Sequence, residues 1–213
     1  MRIITAEQLR AAAPLCERPA SWTVALNDAM LLHGIAFDVD RVVEFLAQCA
    51  HESASFNRLE ESLNYGAPRL MQVWPTRFPT LEAALPYEHE PQKLANLVYG
   101  GRMGNLDPDD GWKYRGRGIL MITGRANYAR VAKLLNDPAV LTFPDKLRNK
   151  APAAMAAAAW WASNPKLNAL ADDTDTDDDY ADFVSVTRII NGGTEGLAAR
   201  AKFRAAFKSA LAD

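Results

Sequence analysis

Two carboxylic acids in the first third of the chain have the spacing and surroundings for acid–base chemistry. Glu52 follows His51 at the end of an apolar helical run, and Glu61 comes nine residues later. Apolar neighbours favour the neutral carboxyl group that a general acid needs. Nine residues allow the chain to leave the helix and bring a second acid back across a groove, where it can deprotonate a water. Such a pair can hydrolyse a glycosidic bond without a metal or cofactor.

The sequence leaves one choice within this pair open. Glu60 stands directly before Glu61, and residue types alone do not say which side chain points into the groove. Glu52 also has a simpler interpretation, in which it merely ends its helix in solvent.

Metal chemistry fits the sequence less well. His51 and Glu52 begin the HExxH zinc motif, but Ser55 stands where the second histidine is required. The other histidines, His33 and His89, are far apart in the sequence. We therefore expect no metal and no cofactor.

An acidic stretch over 172–179 suggests a calcium loop at first sight. Asp173, Asp175 and Asp177 alternate, but Asp178 and Val184 occupy the positions where an EF-hand needs glycine and glutamate. A solvated loop is the better prediction.

Composition limits the class of protein. The 213 residues are 49% hydrophobic and 23% charged with a net charge of −2, which is typical of a soluble globular domain and gives no basic field for nucleic acid. No apolar run approaches the ~20 residues that a membrane helix needs. Residues 1–14 lack the apolar centre of a signal peptide, so we expect synthesis in the cytoplasm. We expect one monomeric domain over 1–213, without a separate binding domain.

Local signals predict a mainly helical fold with at most a small β element. Thr5 and Gln8 form a capping box, and Asp38 or Asp40 begins the helix that ends at Glu52. An alanine-rich helix over 152–161 is predicted to lie buried at the centre, and Thr194 to cap the last helix. Residues 118–123 form an apolar run that is either a strand or a buried extended segment.

Two further segments carry candidate binding residues. The loop from Tyr114 to Gly118 has glycines that allow close approach of a sugar, Arg117 to hydrogen-bond it or steady an acid, and Thr123 nearby to hold a water. The last helix carries four cations, which predict either a solvated face or contact with an anionic envelope. These cations are Arg200, Lys202, Arg204 and Lys208.

Several motifs in order give the chain a family resemblance over residues 3–207. They are AQCAHES (47–53), ESLNY (61–65), VWPTRFP (73–79), NLVYGGRMGN (96–105), GWKYRGRG (111–118), TGRANY (123–128) and TRIINGG (187–193). The sequence resembles the glycoside hydrolase family 19 enzymes, and within them the endolysins of bacteriophages and prophages.

This resemblance implies a lysozyme-like helical domain with two lobes and a central cleft. It implies that Glu52 is the general acid, Glu61 the general base, and that Thr123 helps to hold the attacking water. It also implies a groove that binds sugar. Its expected contacts are His51, Asn64, Tyr65, Tyr114, Arg117, Met121, Asn127 and Asn191.

One position departs from the family pattern. Met121 stands where the family usually has glutamine, two residues before the Ser/Thr, and a thioether cannot make the strong hydrogen bonds of an amide. One sugar contact is therefore altered, while both acids are present.

The expected function is inverting hydrolysis of β-1,4 bonds between the amino sugars of peptidoglycan by an endolysin that reaches the wall after release from the host cell. A chitinase, which cuts the same linkage, is the alternative within the enzyme class. A glycan-binding module that has lost catalysis is the alternative outside it.

Overall fold

The computed structural model describes residues 3–172 and 179–212, so most of the acidic stretch, for which a solvated loop is predicted, lies outside the described residues. Of these described residues, 64% are helical, and almost no strands occur among them. The α-helices of the described ranges are α1 (Ala6–Ala12), α2 (Pro19–Leu32), α3 (Val39–Glu52), α4 (Ala67–Val73), α5 (Leu81–Ala84), α6 (Pro91–Tyr99), α7 (Asp110–Lys113), α8 (Arg125–Leu134), α9 (Ala139–Thr142), α10 (Lys150–Ala162), α11 (Pro165–Ala171), α12 (Asp179–Asn191) and α13 (Leu197–Ala210). Short 3-10 helices lie at Ile35–Phe37, Leu85–Tyr87 and Pro144–Arg148.

Helix α3 is the central support of the candidate acid Glu52. Asp38 caps its first turn by accepting hydrogen bonds from the backbone N–H groups of Asp40 and Arg41. Every residue over 42–50 is buried, because α10, α11, α12 and α13 all pack around this helix. The burial of α3 therefore extends beyond its apolar residues, since Glu44 and Gln48 are buried as well.

Helix α10 is buried at the centre, as its alanines predict. Ala153, Ala154, Ala157 and Ala158 are at most 1% exposed, and α2 packs along the helix. Methyl side chains let two helix backbones approach closely, which explains this run of alanines in the core.

The hydrophobic residues form a larger and a smaller lobe. The main core is built from α1, α2, α3, α10 and α13, with Trp22, Phe45, Trp161 and Phe207 at its centre. A separate cluster around Phe78 forms under α4, α5 and α6. The predicted mainly helical, lysozyme-like fold is confirmed.

Backbone pairing beside the lobes is limited to isolated bridges. Arg117 pairs in antiparallel sense with Glu60 on one side and with Ile122 on the other. A third cluster, with Tyr114, Tyr128 and Leu147, packs under this segment. The prediction of a strand or a buried extended segment over 118–123 is wrong: residues 118–121 form a turn that joins Arg117 to Ile122, with left-handed φ at Gly118 and Met121.

The start of the last helix corrects one prediction. Gly196, with φ of 71°, is the N-cap of α13, and Thr194 only accepts a hydrogen bond from the N–H of Leu197 at 3.2 Å. Gly196 has to lie here because a Cβ atom on it would lie 2.4 Å from the His51 ring. The close approach of two distant segments thus decides where this helix begins.

Over the described residues, no helix is long and apolar enough to cross a membrane.

Candidate active site

Glu52 is the last residue of α3, and an arginine from α13 contacts it. Arg200 is 1% exposed; its Nη2 bonds Glu52 Oε1, and its Nη1 donates to Gln48 Oε1 at 2.6 Å. The apolar residues of α3 that the sequence places near Glu52 are therefore joined by a cation, which lies 148 residues away in sequence. The ion pair fixes one carboxylate oxygen and leaves the side chain 19% exposed.

The same contact belongs to a longer polar seam between α3 and α13. Glu44, Gln48 and Glu52 recur every four residues along α3, and Arg204 and Arg200 are four apart on α13. Arg204 bonds Glu44 while Arg200 bonds Gln48 and Glu52, so the two helices run antiparallel. Residues four apart lie on one helical face. These contacts therefore fix the rotation of α3 about its axis and the direction in which the Glu52 side chain points.

A left-handed turn after α3 redirects the chain toward Glu61. Ala54, Ser55 and Phe56 have φ of 50°, 59° and 66°, a region that is costly for side chains with a Cβ atom. The turn is stabilised by Ser53, whose hydroxyl donates to the Cys49 carbonyl at 2.6 Å and accepts from the Phe56 N–H at 3.0 Å. Phe56 also packs on Trp22 with ring centroids 5.4 Å apart.

Glu61 is held at its backbone and at both carboxylate oxygens. Its N–H donates to the Gly116 carbonyl at 3.0 Å, and Gly116 N–H donates back to Oε1. Tyr99 donates its hydroxyl to Oε2 at 2.7 Å. Burial raises the pKa of Tyr99, and the charge and hydrogen bond of Glu61 raise it further, so the phenol stays a donor.

Gly116 places Thr123 beside this carboxylate. A Cβ atom on Gly116 would lie 3.3 Å from the Glu61 carboxyl group and 3.1 Å from Thr123 Oγ1. The Thr123 hydroxyl donates to the Met121 carbonyl at 2.9 Å. The structure thus brings Glu61 and Thr123 together at one glycine, as a water-holding pair requires.

The neighbouring Glu60 has different partners. It bonds Arg115, and its carboxylate lies 3.5 Å from Arg117 Nε and 3.1 Å from Arg148 Nε. Successive side chains of an extended segment point to opposite sides. Glu60 therefore neutralises an arginine cluster, while Glu61 has neutral hydrogen-bond donors.

Burial argues against two of the predicted sugar contacts. Arg117 is 1% exposed and donates to the Lys113 carbonyl at 2.8 Å and to the Tyr128 hydroxyl at 3.2 Å, while its Nη2 lies 2.6 Å from Asp145. Tyr114 is 2% exposed and packs on Tyr128. Both hold the loop that carries Gly116, so their role is to support Glu61 rather than to touch sugar.

The other predicted contacts lie on several elements. Asn127 donates to the Thr123 carbonyl at 2.7 Å, and Asn191 is exposed at the end of α12. Asn64 is exposed, with its Oδ1 2.7 Å from His89 Nδ1. Tyr65 packs edge-on against Trp74 at 5.5 Å.

His51 has a structural constraint of its own. Its ring lies against Gly196, and burial lowers its pKa, with the charge of Arg200 adding to the effect. Its half-buried position next to Glu52 connects the start of α13 to the candidate acid.

A curated relative decides the family. The chain is 38% identical over 160 residues to a glycosyl hydrolase family 19 domain-containing protein of Haemophilus influenzae, and the match covers 74% of each protein. The chain belongs to glycoside hydrolase family 19. No protein-family model matches it.

Solved structures share the fold of this family 19 enzyme. Chitinase C from Streptomyces griseus aligns with a TM-score of 0.64 and 15% identity, over 98% of this chain and 92% of that one. A bacterial family 19 chitinase aligns with a TM-score of 0.63 and 18% identity, over 99% and 95%. The protein is a glycoside hydrolase of the chitinase or lysozyme-like kind.

Sequence reasoning missed two residues of this family 19 site. Tyr99 lies within a motif that carries the resemblance, but nothing in its local pattern links it to Glu61. Arg200 was placed on a cationic surface, although the matching four-residue spacings on α3 and α13 are a signal for a buried polar seam. Of the four cations on the last helix, Arg200 is buried and Arg204 bonds Glu44.

Proposed function

We propose that this family 19 enzyme is an endolysin that cuts β-1,4 bonds between the amino sugars of peptidoglycan with inversion. The observation that carries hydrolysis is the different setting of its two acids. Glu52 is fixed through one oxygen by Arg200, and Glu61 is held by Gly116 and Tyr99 beside Thr123. Each acid thus has its own partners and its own fixed position, as the separate roles of acid and base require.

The proposed mechanism is a single displacement. Glu52 protonates the leaving glycosidic oxygen, and Glu61 takes a proton from a water that attacks the anomeric carbon from the opposite face. Thr123 hydrogen-bonds this water. The N–H of Gly116 and the hydroxyl of Tyr99 hold the Glu61 carboxylate still, so that its remaining acceptor capacity faces the water.

The Glu52→Gln variant tests the acid. It keeps a hydrogen-bonding side chain for Arg200 but has no proton to give, so clearing of purified cell walls should fall by about 10²–10⁴-fold. Unchanged clearing would refute the assignment of the acid.

NMR of the fresh product measures the configuration at its new anomeric carbon. A β-anomer formed first would refute inversion.

The products identify the bond. Mass spectrometry of digested walls distinguishes muramidase from glucosaminidase action, because the new reducing end is N-acetylmuramic acid in the first case and N-acetylglucosamine in the second.

A chitinase is the second candidate, since the aligned solved structures are named chitinases. Parallel assays on chitin oligomers and on cell walls separate the two, and cleavage of chitin alone would overturn the peptidoglycan proposal. A wild-type protein that cuts neither but sediments with walls would be the glycan-binding module.

The phage origin and the route to the wall are part of the same proposal. Expression in a bacterial cytoplasm should leave cells intact until the membrane is permeabilised, after which the walls should lyse. Lysis without permeabilisation would contradict release through a separate step.

A further inference from the structure

A cavity opens beside Thr123. We call it the Met121 cavity and define it by Met103, Met121, Thr123, Arg130, Trp160 and Ile190, which are among its lining residues. Its volume is about 320 Å³. The mechanism above uses only Thr123 of this set.

The cavity adjoins the reacting groups at two ends. Thr123 connects it to Glu61 through the contact at Gly116. Ile190 precedes Asn191, which is a predicted wall of the sugar groove. A substituent on a sugar bound at Glu61 would therefore reach into the cavity.

The lining combines apolar side chains with a few polar ones and one cation. Methionine, tryptophan, leucine, isoleucine and valine side chains line the wall together with Thr123, Asn127 and Arg130, and no aspartate or glutamate among the described residues lines it. Arg130 donates from Nη2 to Ser163 Oγ at 3.0 Å. A guanidinium has five N–H donors, so Arg130 can hold this serine and an anion together.

Met121 shapes the side of the cavity nearest the acids. Its φ of 48° is left-handed, and its carbonyl accepts the Thr123 hydroxyl. The thioether side chain offers contact area to methyl groups and no strong hydrogen bond to an amide or hydroxyl.

We propose that the Met121 cavity binds the lactyl ether of N-acetylmuramic acid and the first two residues of its stem peptide. The methyl groups of the lactyl unit and of the first alanine lie against Met121 and Met103, and the carboxylate of the acidic second residue pairs with Arg130. Chitin has a free hydroxyl at this sugar position and nothing to fill the cavity. The inference rests on the proposed action on peptidoglycan, and it makes Arg130 and Met121 specificity-determining residues.

The test compares kcat/KM on three soluble substrates: glycan strands that carry stem peptides, the same strands stripped of peptides by an amidase, and a chitin hexamer. Arg130→Met should lower the ratio of peptide-bearing to stripped strands about tenfold, mainly through KM, and Arg130→Lys should restore most of it. Arg10→Met, an exposed arginine at the end of α1, is the matched control and should leave the ratio at the wild-type value.

Met121→Gln should raise the ratio of chitin hexamer to peptide-bearing strands several-fold, because an amide replaces apolar contact area. If Arg130→Met and Met121→Gln both keep the wild-type ratios, the cavity does not bind the stem peptide and the inference is wrong. A wild type that cuts chitin but no peptidoglycan strands would overturn the proposed function itself, and the inference with it.

Discussion

Glu60 and Glu61 are adjacent in the chain and have opposite surroundings. Glu60 lies among Arg115, Arg117 and Arg148, where a carboxylate balances three cations. Glu61 accepts from a backbone N–H and a tyrosine hydroxyl, both neutral groups. Charge balance therefore gives Glu60 a structural role, and Glu61 remains the candidate base that deprotonates the attacking water.

Substituting each acid in turn separates these roles. Glu61→Gln should lower kcat by about 10²–10⁴-fold with little change in stability, because it removes the base and keeps the shape. Glu60→Gln should keep most of the turnover but lower the free energy of unfolding by about 2 kcal/mol, because the arginines lose a charged partner. Wall-clearing kinetics and urea unfolding measure the two effects. An equal loss of kcat in both variants would contradict the assignment.

Among the helices, the α3–α13 seam connects the fold to the chemistry. Glu44, Gln48 and Glu52 share one face of α3, and two arginines of α13 meet that face. A buried arginine is stable only while its partners remain, so the seam couples helix packing to the position of the candidate acid.

Two arginine variants on one helix test this coupling. Arg200→Met should lower the free energy of unfolding by about 3 kcal/mol and also change kcat and its pH profile, because Glu52 loses the group that orients it. Arg204→Met, one turn further along α13, should destabilise the protein while keeping the wild-type pH profile. A wild-type profile in Arg200→Met would mean that Arg200 serves packing alone.

The left-handed turn after α3 is the second feature at this scale. Ala54 is exposed, so its side chain loses no packing on substitution, and its φ of 50° suits glycine. Ala54→Gly should therefore raise the free energy of unfolding by about 1 kcal/mol. Ala205→Gly, at an exposed position inside α13, should lower it by a similar ~1 kcal/mol. Urea unfolding of both variants checks the sign, and a loss in Ala54→Gly would show that the turn is not strained.

For the whole molecule, the half-buried His33 makes stability depend on pH. Burial lowers the pKa of His33, whose Nε2 is buried without a hydrogen-bond partner and which lines an apolar cavity with Asp137 and Lys146 at its edge. The folded state then binds fewer protons than the unfolded state below the ordinary histidine pKa of about 6.5. Stability from this group is complete above that pH and declines as the pH falls below it.

His33→Gln tests this sign, since it removes the titration and keeps a polar side chain. The loss of unfolding free energy between pH 7 and pH 5 should be smaller in the variant than in the wild type, while the two curves run parallel above pH 7. Urea unfolding across this pH range measures it. An identical decline in both proteins would show that His33 does not contribute.

Much of the local structure follows from the sequence because its causes are local. Neighbouring residue types and helical spacing predict the capping box at Thr5, the Asp38 cap and the alanine-rich α10. Family membership follows as well, since ordered motifs along the chain carry it. Those features need no knowledge of which distant segments meet.

The tertiary structure decided what depends on such meetings. It placed Arg200 on Glu52 and Tyr99 on Glu61, turned Glu60 toward the arginines, buried Arg117, and moved the start of α13 to Gly196. The physical reason is that an isolated segment does not determine the partner of a buried charge or the clearance beside a glycine. The ordered motifs thus pointed to Glu52 and Glu61 as the candidate acids, and long-range packing determined the groups that hold them.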